Sequence, residues 1–312
     1  EVAFPYEADD MVPVAIVLDA PSTIGAGYSV NGIGTNAQAI AYRDSLKQNQ
    51  KTVTARIEER LGKTLSVQGN LTLLVNVIAA EVRYGDINRI KLVDGVKDVQ
   101  IEATYTVQDD SINTALTTQY MTFASSAWAA GITGAGSRVA IIDTGVEDEH
   151  QAFDSKAYEY SLMKSAFDRG MLLDDYMAEV GVLTKEEIAA VSSQLNSQAD
   201  AEQAYKSGKV PYGYNYNSGN YESDNYAGSS EHGSHVAGIA AANRYLKVDG
   251  KYVEAALKTG TVGVAPDAQI LAMQVFSPSG GTRDSVYFLA IEDAIVLGCD
   301  AANLSLGSVN PG

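Results

Sequence analysis

Asp143 is the first residue of the sequence whose type and position suit chemistry. It ends the apolar run Arg138–Asp143 (RVAIID), and Thr144 and Gly145 then turn the chain. Catalytic and binding groups of open α/β sheets collect at the carboxyl ends of such strands. An aspartate at this position has a second interpretation, because it can also form an Asx turn with its own backbone.

His232 is the second candidate, and it lies in the segment EHGSHVAG. The chain has three histidines, of which His232 and His235 lie three residues apart. Gly233 lets the chain turn tightly before a helix, so an imidazole that exchanges protons near neutral pH can face a cleft. Two alternatives stay open here. A single histidine often has only a structural role, and the H-x-x-H spacing also suits two metal ligands.

The first 110 residues contain the elements of one small domain. Short β-branched runs predict strands, and apolar spacing predicts helices, the first of which ends at Gly62. The predicted strands are 12–19, 65–70, 71–82 and 96–103, and the predicted helices are 37–61 and 85–93. The order βαββαβ favours a split βαβ, ferredoxin-like domain, although a generic interaction domain has the same order. Residues 104–125 are polar and are interpreted as a linker.

The pattern of the remaining residues, 111–312, predicts a second domain of the α/β class. Strands at 138–143, 269–276 and 300–306 alternate with helices at 235–244 and 283–297, which favours a parallel sheet. An insertion at 153–231 interrupts this pattern and carries 13 acidic against six basic residues. Within it, the spacing of Thr184 and Glu187 predicts a capping box at the start of a helix.

Composition excludes several classes of partner. The 312 residues include 39 acidic and 22 basic side chains, for a net charge of −17. Such a charge argues against a nucleic-acid partner and against binding to anionic lipid. The single cysteine, Cys299, cannot form an intrachain disulfide, and no apolar run predicts a membrane span. The first residues, EVAFPYEADD, contain no leader, so we expect either a cytosolic protein or a signal segment already removed.

Taken together, the two candidate segments resemble the subtilisin-like serine proteases, or subtilases. That family's first triad residue lies in D-[ST]-G, and its second is the first histidine of H-G-[ST]-H-x-A-G; Asp143–Gly145 and His232–Gly238 match these motifs. GVAPDAQILAMQVF and ANLSLG are similar to the family's following strand and to its substrate-binding strand. The long gap between Asp143 and His232 is most similar to that of the lactocepin-like cell-envelope proteinases.

The resemblance implies a role for each matched residue. Asp143 would orient the imidazole of His232, which would act as the general base. Ser305, Leu306 and Gly307 would bind the backbone of an extended protein or peptide substrate. His235 is expected to pack within its helix.

The resemblance also implies an organisation. Residues 1–110 would be a ferredoxin-like propeptide that inhibits its own catalytic domain, as in a zymogen, and residues 111–312 the N-terminal part of a subtilisin-like domain. The mature enzyme would begin near residues 106–112. The protein would be secreted or attached to the cell envelope. No cofactor would be required, and a structural calcium ion is allowed, although no EF-hand loop is present.

One part of the family pattern is missing. The sequence contains no G-T-S-x-A segment for the catalytic serine, and the oxyanion-hole asparagine is not identified. We therefore expect a C-terminal fragment of the same precursor to carry the serine. Two alternatives are a catalytically inactive subtilase-fold binding or regulatory module, and a metal hydrolase that uses His232, His235 and Asp143.

Overall fold

The computed structural model describes residues 6–107, 124–224, 231–259 and 261–308. The chain divides into two compact units. The first comprises residues 1–104 together with 194–196 and 283–296, and the second comprises residues 105–193, 197–282 and 297–312.

The first unit is built around a four-stranded antiparallel sheet. Its elements are β1 (Met11–Leu18), α1 (Ala37–Leu61), β2 (Ser66–Leu71), β3 (Val77–Arg83), a 3-10 turn (Tyr84–Asp86), α2 (Ile87–Ile90) and β4 (Val96–Ile101). The strand order is β2-β3-β1-β4, with every neighbouring pair antiparallel. The two outer strands are thus reached through the two helical connections.

Local signals set the bounds of α1, and alternation in β1 builds the core. Asn36 accepts hydrogen bonds from the backbone N–H groups of Gln38 and Ala39, and Gly62 ends the helix in the left-handed region. Every second residue of β1 is buried, which gives the strand one apolar face. The side chains of this face pack with those of both helices; the core comprises Val12, Val14, Ile16, Leu18, Val53, Ile57 and Ile90, among others.

The other elements follow in chain order. They are β5 (Thr104–Val107), α3 (Ala124–Ala129), β6 (Arg138–Asp143), a 3-10 turn (Gln151–Phe153), α4 (Ser155–Asp168), α5 (Leu173–Val180), α6 (Lys185–Val191), a 3-10 turn (Ser192–Gln194), α7 (Ala201–Ala204), β7 (Tyr212–Asn215), α8 (His232–Ala241), β8 (Tyr245–Val248), β9 (Lys251–Glu254), α9 (Ala255–Lys258), β10 (Gln269–Gln274), β11 (Gly281–Arg283), α10 (Asp284–Val296), β12 (Ala301–Asn303) and β13 (Leu306–Ser308). Among the described residues, no helix is both long and apolar enough to cross a bilayer.

A parallel sheet forms the centre of the second unit. Its strand order is β12-β6-β10-β7, and each neighbouring pair is parallel. Every residue of β10 is buried, as expected for an inner strand of a covered parallel sheet. Ala237 and Ala241 of α8 lie in the same apolar cluster as Ile141 of β6 and Ile270 of β10. The predicted α/β architecture with a parallel sheet is confirmed.

Two predicted segments are wrong. The predicted linker begins with strand β5, which pairs with β13, while residues 108–123 lie outside the described part. The single strand predicted over 300–306 is two strands, because β12 belongs to the parallel sheet and β13 to the separate sheet β11-β5-β13. Between them Ser305 Oγ donates to Asn303 Oδ1, a local hydrogen bond that competes with a continuous strand. Leu304, which lies between the two strands, is exposed.

The insertion contributes its own helices and core. The predicted capping box is present: Thr184 accepts from the Glu187 backbone N–H, and the Glu187 carboxylate accepts from the Thr184 backbone N–H. Side chains of α4 and α5 form an apolar cluster that includes Tyr158, Leu162 and Tyr176. Residues 225–230, near the end of the insertion, lie outside the described part.

Lys209 connects the insertion to the loop that precedes β10. Its ammonium is completely buried, donates to the carbonyl oxygens of Pro266 (2.9 Å) and Ala268 (2.6 Å), and lies 5.2 Å from the centre of the Tyr158 ring. Burial disfavours the charged amine and lowers the pKa of Lys209 to about 7.

This pKa predicts a dependence of stability on pH. Between about pH 7 and about pH 10.5 the unfolded chain holds the Lys209 proton and the folded chain does not, so the free energy of unfolding rises with pH. One such group contributes at most about 1.4 kcal/mol per pH unit. Urea denaturation at about pH 7 and about pH 9 should show a larger rise for the wild type than for Lys209→Met. Equal rises would contradict the assignment.

Candidate active site

Asp143 and His232 meet at the carboxyl end of the parallel sheet. Asp143 is the last residue of β6, and its side chain is fully buried. His232 is the first residue of α8, and its Nδ1 lies 2.8 Å from Asp143 Oδ1. With the carboxylate ionised, Nδ1–H donates and the ring carries its lone pair on Nε2. The two residues proposed from the sequence are therefore in direct contact across 89 positions.

The Asx interpretation of Asp143 also holds. Oδ1 accepts from the backbone N–H of Thr144 at 2.7 Å in addition to contacting the imidazole. Oδ2 is buried, and among the described residues it has no hydrogen-bond partner. The negative charge is therefore stabilised from the Oδ1 side, by the turn and by the histidine together.

Two hydroxyl groups hold the Asp143 turn against the start of α8. Thr144 Oγ1 accepts from the Gly233 backbone N–H at 3.0 Å. Ser234 Oγ accepts from the Glu147 backbone N–H at 2.8 Å. Both residues lie inside the matched motifs, but sequence reasoning assigned them no function. The only available signal was that each hydroxyl lies within two positions of a candidate catalytic residue.

Two glycines permit the close approach of these segments. A Cβ at Gly233 would lie 2.1 Å from the carbonyl oxygen of Gly145, a distance that real Cβ atoms do not reach. Gly145 itself has a φ of +107°, which other residues rarely adopt. Backbone contact thus requires a glycine at 233, and backbone conformation requires one at 145.

His235 is exposed, so the prediction that it packs within its helix is wrong. The buried residues of α8 are Gly233, Ala237 and Ala241, which repeat every four positions. His235 lies midway between the first two and consequently faces away from the sheet.

A metal site receives no support in the described part of the chain. There, no group of three or more His, Cys, Asp or Glu side chains is arranged to hold a metal ion. His232, His235 and Asp143, the residues of the metal-hydrolase alternative, do not form such a group there. The structural calcium ion stays a prediction without named ligands.

The residues predicted to bind substrate lie beside a strand of the chain itself. Leu306, Gly307 and Ser308 form β13 and pair antiparallel with Val107, Thr106 and Tyr105 of β5, respectively. Ser305 precedes this strand. Leu306 and Gly307 therefore take part in antiparallel backbone pairing with β5.

Comparison with protein families identifies this arrangement. The profile described as "Subtilase family" matches residues 134–312, more than half of the chain, and includes both Asp143 and His232. The chain belongs to the subtilase family. The family resemblance predicted from the sequence is confirmed.

Curated relatives of this subtilase match almost its full length. The PII-type proteinase of Lacticaseibacillus paracasei is 28% identical over 306 residues, and the PI-type proteinase of Lactococcus lactis subsp. cremoris is 28% identical over 308 residues. Each match covers 97% of this chain and 14% of the relative. The chain thus spans about one seventh of the length of these proteinases.

Two further matches are more distant or shorter. The Minor extracellular protease Vpr of Bacillus subtilis is 30% identical over 186 residues, which are 59% of this chain and 16% of that protein. Fervidolysin from Fervidobacterium pennivorans, described as a keratinolytic enzyme related to subtilisin, aligns with a TM-score of 0.49 and 16% identity. The alignment covers 96% of this chain and 36% of fervidolysin.

The glycine contact predicts opposite effects of two alanine substitutions in α8. Gly233→Ala should lower the free energy of unfolding by about 3 kcal/mol, because its Cβ meets backbone that must move. Gly238→Ala, whose Cβ would meet nothing within 4 Å, should raise it by about 0.5–1 kcal/mol through helix propensity. Urea denaturation measures both. A Gly233→Ala variant as stable as Gly238→Ala would show that the contact is not this close.

Proposed function

We propose that this chain is the N-terminal part of a subtilisin-type serine endopeptidase, to which it supplies the aspartate and histidine of an Asp-His-Ser triad. The hydrogen bond between Asp143 and His232, at the carboxyl end of a parallel sheet, carries this proposal. The match of the surrounding residues to the subtilase family supports it.

The geometry suits general base catalysis by His232. A serine hydroxyl becomes a competent nucleophile when an imidazole takes its proton during attack on the scissile carbonyl. Asp143 fixes the ring so that Nε2 accepts that proton, and its charge stabilises the imidazolium that forms. The imidazolium then protonates the departing amine, and water, deprotonated by the same ring, hydrolyses the acyl-enzyme. These steps need no cofactor.

The catalytic serine would come from a downstream segment of the same precursor. The sequence contains no G-T-S-x-A motif, and the curated relatives are about seven times as long as this chain. We propose that this segment also supplies the oxyanion-hole asparagine.

Substrate would bind by strand addition along Ser305, Leu306 and Gly307. The antiparallel pairing of Leu306–Ser308 with Tyr105–Val107 supports this, since it shows backbone groups there that accept an extended strand. The substrate class is therefore a protein or peptide in extended conformation.

We propose that residues 1–110 are a ferredoxin-like propeptide and residues 111–312 the beginning of the peptidase domain. The strand order β2-β3-β1-β4 with two helical connections supports the first assignment. In this zymogen β5 would occupy the position of a substrate strand. The expected processing region, residues 106–112, lies mostly outside the described part. The protein would act outside the cell or at the cell envelope.

Substitution of the two neighbouring histidines tests the catalytic assignment. In the assembled protein with its downstream segment, His232→Ala should reduce kcat for peptide hydrolysis about 10,000-fold or more. His235→Ala is the matched control, because this histidine lies on the same helix but is exposed, and it should retain full activity. Full activity of His232→Ala would refute the assignment.

Chemical labelling distinguishes the enzyme from an inactive binding module. A serine-directed phosphonate should label the assembled protein stoichiometrically on a segment downstream of residue 312, and His232→Ala should slow the labelling. The 312-residue chain alone should not react. Absence of labelling in an assembly that contains the downstream segment would favour the inactive subtilase-fold module.

A further inference from the structure

Three buried polar side chains form a row across the parallel sheet. In the registers of β10, Gln274 pairs with Asp143 of β6 on one side and with Asn215 of β7 on the other. Asp143, Gln274 and Asn215 are 0%, 3% and 6% exposed. Paired residues of neighbouring strands point to the same face, so the row begins at the candidate catalytic aspartate and runs away from it.

The two amides of this row bind one backbone segment, Glu222–Asp224. In the orientation that satisfies its hydrogen bonds, the Gln274 amide nitrogen donates to the carbonyl oxygens of Glu222 (2.9 Å) and Asp224 (3.3 Å). Asn215 Nδ2 also donates to Glu222 O, at 3.1 Å. Carbonyl groups at the end of the insertion are thus held by side chains of the sheet.

The same segment supports the turn that contains Asp143. The Val146 backbone N–H donates to Ser223 O at 2.8 Å. A Cβ at Gly145 would lie 2.6 Å from the carbonyl oxygens of both Ser223 and Asp224, so the two backbones are in close contact. Any displacement of Glu222–Asp224 would therefore move the turn that follows Asp143.

We propose that Gln274 is a positioning residue for Asp143 and acts through the segment Glu222–Asp224. The inference rests on the proposed function, in which Asp143 must orient His232. A buried amide that donates to two carbonyl groups fixes this segment, and the segment fixes Gly145 and Val146. Catalytic geometry is sensitive to displacements of about 1 Å, so loss of the amide should reduce catalysis without a change in substrate contacts.

Three variants of β10 separate positioning from general stability. Gln274→Met keeps the length of the side chain but removes its donors, whereas Gln274→Lys keeps donors for the Glu222 and Asp224 carbonyls. Gln269→Met is the matched control. Gln269 is a fully buried glutamine at the opposite end of the same strand, and its amide binds Leu183 and Gly208.

Hydrogen exchange of the Val146 amide in the 312-residue chain gives a readout independent of activity. Gln274→Met should lower the protection factor of this amide about tenfold, and Gln274→Lys should restore most of it. Gln269→Met should leave it unchanged. Unchanged protection in Gln274→Met would overturn the proposal whatever the protein's activity.

Kinetics of the assembled protein give the second readout. Gln274→Met should lower kcat about tenfold or more and change KM less than about twofold, and Gln269→Met should show none of this effect. An equal fall in kcat for both methionine variants would show that Gln274 has only a structural role and would overturn the proposal. An inactive wild-type assembly would refute the proposed function but not the exchange result.

A further variant covers a folding failure of Gln274→Met. Asn215→Leu removes the other donor to Glu222 O and leaves Gln274 in place. It should lower Val146 protection in the same direction by a smaller factor. Wild-type Val146 protection in Asn215→Leu would show that the segment is held by contacts other than this row of amides and would overturn the inference.

Discussion

The hydrogen bond between Asp143 and His232 joins two residues that are 89 positions apart, and the second unit is organised around that contact. The end of β6 and the first turn of α8 must touch with almost no space between their backbones. Glycines at 145 and 233 make this approach sterically feasible, and the hydroxyl groups of Thr144 and Ser234 convert it into directional hydrogen bonds. A carboxylate–imidazole pair at 2.8 Å is thereby held by backbone contact as well as by its own attraction.

The contact requires that the chain between the two residues fold without displacing either of them. The insertion meets this requirement by having a core of its own in α4 and α5 and a capped helix at Thr184. Lys209 attaches it to the loop before β10, at the amino end of that strand. Glu222 and Asp224 attach it at the carboxyl end of the same strand through Gln274. The insertion is therefore attached to both ends of one inner strand, β10.

Local signals explain which features could be predicted from the sequence. The bounds of α1 follow from Asn36 and Gly62, those of β6 from an apolar run that ends in Asp-Thr-Gly, and the start of α6 from its capping box. Each of these depends on residues close together in the chain. The Asp143–His232 pair was also predictable, because two motifs in the correct order resemble one family.

The failures in the strands concern pairing between distant segments. Thr104–Val107 reads as a polar linker because its strand character depends on β13, about 200 residues away. Residues 300–306 read as one strand because the division between two sheets is a property of their partners. The row Asp143–Gln274–Asn215 was missed for the same reason, since the register between strands is not encoded in any single segment.

The pairing of Tyr105–Val107 with Leu306–Ser308 has a consequence for competition. Both strands belong to one polypeptide, so β5 acts at an effective concentration that is set by its tether. A free peptide at a lower concentration and of equal intrinsic affinity would lose to it. Cutting the chain next to β5 would remove this advantage without altering the contacts between β5 and β13. The fraction of β13 that is paired with β5 would then depend on the protein concentration.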